Sequence, residues 1–329
     1  MSGFFIKEKS LDDILNALYR KLLSIELEVS ASKGEFKELI CTHIILTNPR
    51  MRVSRSYSRG KIFSLLGELL WYFTGDNELD FIKYFLPNYP EAADENGKVN
   101  SGYGDRLFSY SHGTDNNSKI NQIDNILNLL KRKPTSRQAV IQLFSAADLV
   151  VDRDGPVPCT NTLQFILREN KLHLLVNMRS NDAFRGLVHD VYAFTMIQEL
   201  IATELQVEMG CYQHFVGSMH LYNTDYEGAQ EYLSEGYFTP TPMPAMPSVQ
   251  PLQSLQEAVK FAERVRLEGI RTFDNLPESN YWSDIWRLIL AFALFAKDHN
   301  EEMAFAVRDE LSSKFYRIYL DDRELRRRL

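Results

Sequence analysis

Apolar residues first recur at a helical period just after Ser10, at Leu11, Ile14, Leu15, Leu18 and Leu22. Ser10, with Asp13 three residues on, has the spacing of an N-cap, so the pattern predicts a helix with a defined start. A polar turn around residues 30–34 leads into an apolar run at 39–46 that predicts a strand. Residues 62–73 are apolar nearly throughout and predict a buried helix stopped by Gly75. Asn, Gly, Ser and Asp crowd residues 87–118, which predicts an extended loop region, and an amphipathic helix is expected at 120–131. Strands are expected at 139–144, 162–167 and 172–178, a helix at 191–205 and a further strand at 211–221. Five of the twelve prolines fall in 237–251, an extended segment that no helix can cross. Helical stretches at 254–268, 281–296 and 301–319 close the chain. Before Pro240 helices and strands mix without regular alternation, so the expected class is α+β rather than a doubly wound sheet. The expected division is a main body at 1–250 and a helical C-terminal extension at 251–329 packed on it.

Composition narrows the function classes. With 44% apolar, 25% charged and 12% aromatic residues the chain is an ordinary globular one. Thirty-seven Lys plus Arg against 44 Asp plus Glu give a formal charge of −7. That balance argues against a nucleic-acid polymer as partner, because such binding needs a dominating basic surface. Any anion is expected to be held by a few placed Arg or Lys residues. No apolar run approaches the roughly 18 residues a membrane span needs, and residues 1–10 lack the apolar centre of a secretory signal. Cys41, Cys159 and Cys211 are odd in number and far apart. Neither a disulfide framework nor a structural metal site is expected. The expectation is a cytoplasmic, reduced protein in which one cysteine is free to act as a nucleophile; Cys41 and Cys211 lie in apolar strands and are expected as core residues.

The densest set of reactive side chains lies between Pro158 and Tyr222. Pro158-Cys159 precedes a strand, on a turn after Gly155-Pro156, and Arg179-Ser180-Asn181-Asp182 is expected at the end of the next strand and the start of a loop. Gly186 and the pair His189-Asp190 stand at the mouth of a helix, and Gly217-Ser218-Met219-His220-Leu221-Tyr222 ends the last strand. Polar residues at strand ends and helix N-termini can converge on one cleft, where a thiol beside an Arg ionises more easily. Each has an ordinary structural reading when taken singly: Cys159 as a buried hydrophobe, Arg179 as an ion-pair partner, His220 as a satisfied histidine, Asp190 as a helix cap.

Together they resemble one family. Glu68-Leu69-Leu70-Trp71-Tyr72-Phe73-Thr74-Gly75-Asp76 is similar to the His-Glu-Leu-Leu-Trp-Phe-x-x-Gly-Asp motif of thymidylate synthases. Pro158-Cys159, with Gln164-Phe165 downstream, resembles that family's nucleophile motif. Arg179 to Leu187 resembles its Arg-Ser-x-Asp-x-x-x-Gly segment, and His220-Leu221-Tyr222 its sugar-binding His-x-Tyr. The resemblance covers residues 11–247 and implies a mixed sheet flanked by helices. It further implies a pyrimidine nucleoside monophosphate as substrate, 5,10-methylenetetrahydrofolate as cosubstrate, no metal, and a homodimer. Carried across, Cys159 is the thiolate that adds to C6 of the base. Arg179 and Ser180 bind the 5′-phosphate, with Arg137 reaching it from the partner subunit; Gln138 stands where a second Arg is usual. His220 and Tyr222 hold the sugar hydroxyl. Glu68 organises water and proton transfers, Tyr103-Gly104 resembles another active-site element, and Asp182, Gly186 and Tyr89 fall on the folate side.

Departures from the family pattern carry the finer reading. Asp190 stands where thymidylate synthases have Asn, an exchange similar to that in the cytidylate hydroxymethylase branch. A carboxylate accepts from the 4-amino group of cytosine but offers nothing to O4 of uracil. Tyr89 and Ala92 occupy the places of two folate-contacting tryptophans, His189 that of a Phe, and Ser218 that of an Asp. The N-terminal Arg-x-Gly-x-Gly phosphate loop is absent, with Lys33 a weak substitute, and the chain ends in helices and Arg326-Arg327-Arg328-Leu329 rather than a short apolar tail. The expected activity is therefore a cytidylate 5-hydroxymethyltransferase acting on dCMP or CMP, in which water is the last reactant. Two rivals are a divergent thymidylate synthase acting on dUMP and a non-catalytic nucleotide-binding dimer. The C-terminal helices either cap the folate cleft or extend the dimer interface.

Overall fold

Strand and helix start where the polar pattern allows a cap or a turn. The computed structural model describes residues 3–31, 34–89, 93–111, 119–150, 156–273 and 275–328, with side chains as far as Asp321. Lys33, Ala92, Gly155 and the side chains of Arg326 to Leu329 lie outside the described residues. The chain opens with β1 (Phe4–Glu8) and α1 (Leu11–Leu23), whose cap is Ser10, its Oγ accepting from Asp13 N at 3.2 Å. β2 (Val29–Ala31) and β3 (Gly34–Leu46) follow, then α2 (Ile62–Thr74), which ends on Gly75 at φ +77°, a conformation glycine adopts without steric cost. Next come α3 (Leu79–Phe85), α4 (Gly104–Phe108), a small pair β4 (Tyr110–Ser111) and β5 (Lys119–Ile120), and α5 (Gln122–Arg132). β6 (Val140–Gln142), β7 (Thr160–Arg168), β8 (Lys171–Asp182), α6 (Leu187–Glu204), β9 (Glu208–Tyr222) and α7 (Tyr226–Ser234) complete the body. After the extended proline-rich segment lie α8 (Pro251–Leu267), α9 (Asn280–Ala296), α10 (Glu301–Asp309) and α11 (Lys314–Arg328).

The strands form one mixed sheet in the order β1-β3-β9-β8-β7-β6, with β2 added to β3. β8 and β9 run parallel with α6 as their crossover, and every other neighbour pair except β1–β3 is antiparallel. The α+β expectation holds. One sheet face carries Leu172, Leu174, Val176 and Met178 of β8 and Tyr212, His214 and Val216 of β9 into the core beneath α2 and α6. The other face is only half covered and includes Phe5, Ile40 and Val140, which are 57%, 43% and 40% exposed. His43 and Phe215 stack on that face with ring centroids 4.0 Å apart.

Several expectations need correction. β1, β2, α3, β5 and α7 are too short to show a period of their own and are not predicted by the pattern, and the expected loop region at 87–118 holds α4 and β4. Residues 301–319 are two helices rather than one. Buried Asp284 of α9 accepts from Ser312 N and Ser313 N, each at 2.9 Å, and these bonds hold the chain in the break. Arg179 to Asp182 belong to β8 itself, because Ser180, Asn181 and Asp182 pair with Ser218, Met219 and His220 of β9. Asp190 is not a cap: α6 begins after Gly186, and Asp190 sits inside its first turn. Cys41, expected as a core residue, is exposed at φ +57°, where the β3–β9 register skips from Ile40↔Ser218 to Thr42↔Val216. Opposite this kink, a Cβ on Gly217 would come within 2.7 Å of Arg179 O, so only glycine lets β9 pass that close to β8. The C-terminal helices pack on the same core, with Trp282, Leu288, Ile289 and Tyr316 fully or almost fully buried.

Candidate active site

The cleft opens where β8 and β9 end and α6 begins, a crevice that parallel βαβ geometry leaves at the carboxyl ends of strands. Its volume is about 950 Å³, and its walls include Glu68, Tyr89, Tyr103, Cys159, Arg179, Ser180, Asp182, Gly186, Asp190, His220 and Tyr222. Most of the residues singled out from sequence therefore meet in one place. Arg137 does not: it is exposed, outside these walls, and its carbonyl accepts from Gln164 Nε2 at 3.1 Å.

Cys159 is half-buried, one residue ahead of β7. Arg179 wraps the turn that presents it. Its Nε donates to Pro158 O and its Nη2 to Val157 O, both at 3.0 Å, and Nη2 lies 3.6 Å from Cys159 Sγ. A cation at that distance favours the thiolate. Tyr103 fixes the other side: its hydroxyl pairs with Thr160 Oγ1 at 2.9 Å and accepts from Thr160 N at 3.2 Å. Burial raises the Tyr103 phenol well above its ordinary pKa, so it stays protonated. Ser180 Oγ stands 3.4 Å from His220 Nδ1, and the His220 ring meets those of Tyr222 and Phe36 at 5.1 and 5.3 Å. Ser218 turns the opposite way and donates to Glu38 Oε1.

Asp190 and Glu68 form the acidic corner. Asp190 is 7% exposed, and burial, then the nearby Glu68 carboxylate, raise its proton affinity well above the carboxylate range against the lowering effect of Asn181. Asn181 Nδ2 donates to Asp190 Oδ2 at 2.7 Å, and Tyr72 donates to Glu68 Oε1 at 2.7 Å. Asp182 Oδ1 accepts from Phe184 N and Arg185 N at 2.8 and 2.9 Å, locking the turn into α6. His189, reading toward the cleft, lies 3.1 Å from Ser64 Oγ through Nε2 and 2.9 Å from Arg185 O through Nδ1.

Sequence reading missed part of the wall. Arg59 and Arg185 both line the cleft. Arg59 lies over the Phe184 ring at 3.7 Å, whereas Arg185 holds Asp225 through paired hydrogen bonds. Phe292 of α9 and Tyr319 of α11 add to the aromatic wall that Trp71, Phe85 and Tyr89 also line. Phe292 stacks on Phe85 at 4.9 Å, and Trp71 meets Tyr89 at 5.3 Å. No local signal marks Phe292 or Tyr319, since both read as core positions of amphipathic helices. His214 carried a signal: it is a lone polar residue at a core position of an alternating strand.

A family model described as thymidylate synthase matches residues 57–272, well over half of the chain. The chain belongs to the thymidylate synthase family. Thymidylate synthase family membership makes it a one-carbon transferase, with folate-dependent transfer to a pyrimidine nucleotide as the reaction class and methylenetetrahydrofolate as cosubstrate. The family match begins at Tyr57 and runs through α8, so it takes in all the cleft walls described above except the two C-terminal aromatics. No helix among the described residues is long and apolar enough to cross a membrane, and no cluster of metal-ligating side chains occurs among them.

Proposed function

We propose that this thymidylate synthase homologue is a cytidylate 5-hydroxymethyltransferase, moving a one-carbon unit to C5 of dCMP or CMP and finishing with water. The observation that carries the reading is Asp190, a buried carboxyl in the cleft wall. Uracil sets an acceptor, O4, beside the N3–H donor; cytosine sets an amino donor beside a bare N3. Ionised Asp190 accepts from the amino group and gives nothing to O4. Neutral Asp190 accepts from the amino group with one oxygen and donates from the other to N3. A mispaired buried group costs about 1–3 kcal/mol, enough to set the base preference.

The remaining residues divide the chemistry. Cys159 Sγ adds to C6 and drives electron density onto C5. Arg179 and Ser180 hold the 5′-phosphate, and His220 with Tyr222 holds a 3′-hydroxyl, which both nucleotides carry. The aromatic wall of Trp71, Phe85, Tyr89 and Phe292, with Asp182 and Gly186 at its edge, fits a flat polar heterocycle such as the pterin of the cosubstrate. That cosubstrate supplies the one-carbon unit. C5 bonds to it and loses its proton, assisted by Glu68; release of the carrier leaves an exocyclic methylene on the base. Water adds its oxygen to that carbon, and the C6–S bond breaks to return the Cys159 thiolate. The nucleotide thus gains a hydroxymethyl group, with tetrahydrofolate as the other product.

A homodimer completes the phosphate site in this reading. The half-covered sheet face bearing Phe5, Ile40, Val140 and the His43–Phe215 stack is the surface a second copy would cover. Arg137 is bonded to Gln164 of β7, between the core positions Leu163 and Phe165, so it stands at the rim of that face. Release of tritium from [5-³H]dCMP, [5-³H]CMP and [5-³H]dUMP with methylenetetrahydrofolate tests the whole. Release from a cytosine nucleotide with no dihydrofolate is expected. Release from dUMP alone, with dihydrofolate and a 5-methyl product, would point to the synthase instead, and no release from any of the three to a binding protein.

A further inference from the structure

Four buried side chains, ending at Asp190, stand in line across three elements. Tyr212 OH lies 2.6 Å from His214 Nδ1, His214 Nε2 lies 3.0 Å from Asn181 Oδ1, and Asn181 Nδ2 lies 2.7 Å from Asp190 Oδ2. Tyr212 and His214 are fully buried, and Asn181 is 3% exposed. Each link has one direction. Asn181 donates through Nδ2, so its Oδ1 accepts, and the hydrogen it accepts sits on His214 Nε2. Burial pushes the His214 pKa down to about 3, so the ring is neutral and carries no second hydrogen. Nδ1 is therefore an acceptor, and the Tyr212 hydroxyl donates to it. Running the line backwards would leave the Tyr212 hydrogen without an acceptor among the described residues.

We propose that Tyr212, His214 and Asn181 are positioning residues: a one-way hydrogen-bond relay that makes Asp190 Oδ2 an acceptor, with a second lone pair still open, and leaves any proton on the carboxyl at Oδ1. Oδ1 has no hydrogen-bond partner among the described residues, so its proton is left to donate to a ligand while Oδ2 keeps its second lone pair to accept. This inference rests on the assignment of Asp190 to base recognition. A neutral carboxyl with its proton on one oxygen presents a donor–acceptor pair matching N3 and the amino group of cytosine. With the proton on the other oxygen, the order reverses and matches O4 and N3–H of uracil. The relay, rather than Asp190 alone, then fixes the order. The groups facing Asp190 are Glu68 and Tyr72 of α2, Tyr103 ahead of α4, Asp182 of β8, and Tyr212 and His214 of β9. Among these described groups none is a cation, and the Glu68 carboxylate is the charge that acts most on Asp190.

Tyr212→Phe removes the end of the relay and keeps the ring that packs the core. His214 is then free to carry its hydrogen on Nδ1, and Asn181 to turn its carbonyl towards Asp190. The ratio of kcat/KM for the cytosine over the uracil nucleotide is expected to fall about tenfold. The limb of the pH–rate profile set by Asp190 is expected to move to higher pH, because a donor that favours the carboxylate is lost. Nitrogen NMR of the His214 ring reports the same event without turnover: a single Nε2–H tautomer in the native protein and a mixture in the variant. A folded Tyr212→Phe protein with native selectivity, native pH limb and a single tautomer would overturn the relay. If the native enzyme itself prefers the uracil nucleotide, the cytidylate reading fails, and the relay is then decided by the tautomer and the pH limb alone.

Discussion

The two halves of the cleft are built differently. The half proposed to take the nucleotide, around Cys159, Arg179, Ser180, Asp190 and His220, is made from strand ends and the first turn of α6, with side chains pinned by hydrogen bonds. The half proposed to take the cofactor is made from helices and the segment after α3, and its residues hold each other by ring packing: Phe85 on Phe292 and Trp71 on Tyr89. Directional bonds fix an atom to within a fraction of an ångström, whereas ring packing tolerates substitution as long as volume is kept. The nucleotide half should therefore respond to single-atom changes, and the cofactor half only to changes of shape.

Cys159→Ala is the harshest test of that contrast. Loss of the thiol should lower kcat on the order of 10⁴-fold or more while nucleotide binding, measured by calorimetry, stays within a few-fold. Comparable residual activity would remove Cys159 from the chemistry. Next in size is Asp190→Asn, which replaces one oxygen with an amide nitrogen. The amide gains a donor for O4, so preference should move towards the uracil nucleotide by roughly 10- to 100-fold, read as a ratio of kcat/KM values. Unchanged base preference would show that the 190 side chain does not read the base. On the other side, Phe292→Leu keeps most of the volume and removes the ring stack on Phe85. The expected effect is a rise of roughly 2- to 10-fold in KM for methylenetetrahydrofolate with little change in KM for the nucleotide. A change confined to the nucleotide KM would place Phe292 on the wrong side of the cleft.

The same division decides how much was legible in the sequence. The nucleotide half could be read because its residues lie in short contiguous runs: Arg179 to Gly186 in β8 and the turn after it, Gly217 to Tyr222 in β9. The fold then needs only one parallel pairing, Ser180↔Ser218 and Asp182↔His220, to bring them together. The expected α+β architecture followed from the same strong periodicities. Phe292 and Tyr319 were illegible, because a ring on the buried stripe of a helix looks the same whether it packs on protein or lines a cavity. The break between α10 and α11 was hidden because it depends on Asp284, more than 25 positions away in sequence. Cys41 misled: an apolar run predicts burial, but the kink at φ +57° turns its side chain out. Asp190 itself was visible as a departure. That it stands inside α6, bonded to Asn181 rather than capping the helix, required the tertiary structure.

The smallest expected effect is on stability, and it tests the acidic corner without any ligand. Burial and Glu68 raise the proton affinity of Asp190 in the folded state, so the folded protein holds this proton more tightly than the unfolded chain. Between the unfolded carboxyl value, about 3.9, and the higher folded value, stability therefore falls as pH rises; above the folded value the cost is fully present. Asp190→Asn removes the titration and keeps a side-chain oxygen for Asn181. Its melting temperature should exceed that of the native protein by roughly 2–4 °C at pH 8, with the gap closing as pH approaches 4. Glu68→Gln in the native background should narrow the pH-dependent part of that gap, because Glu68 is the largest charge acting on Asp190. A gap that does not vary with pH would mean that Asp190 ionises as an ordinary exposed carboxyl, and the nucleotide half would lose the feature that separates it from a packed aromatic wall.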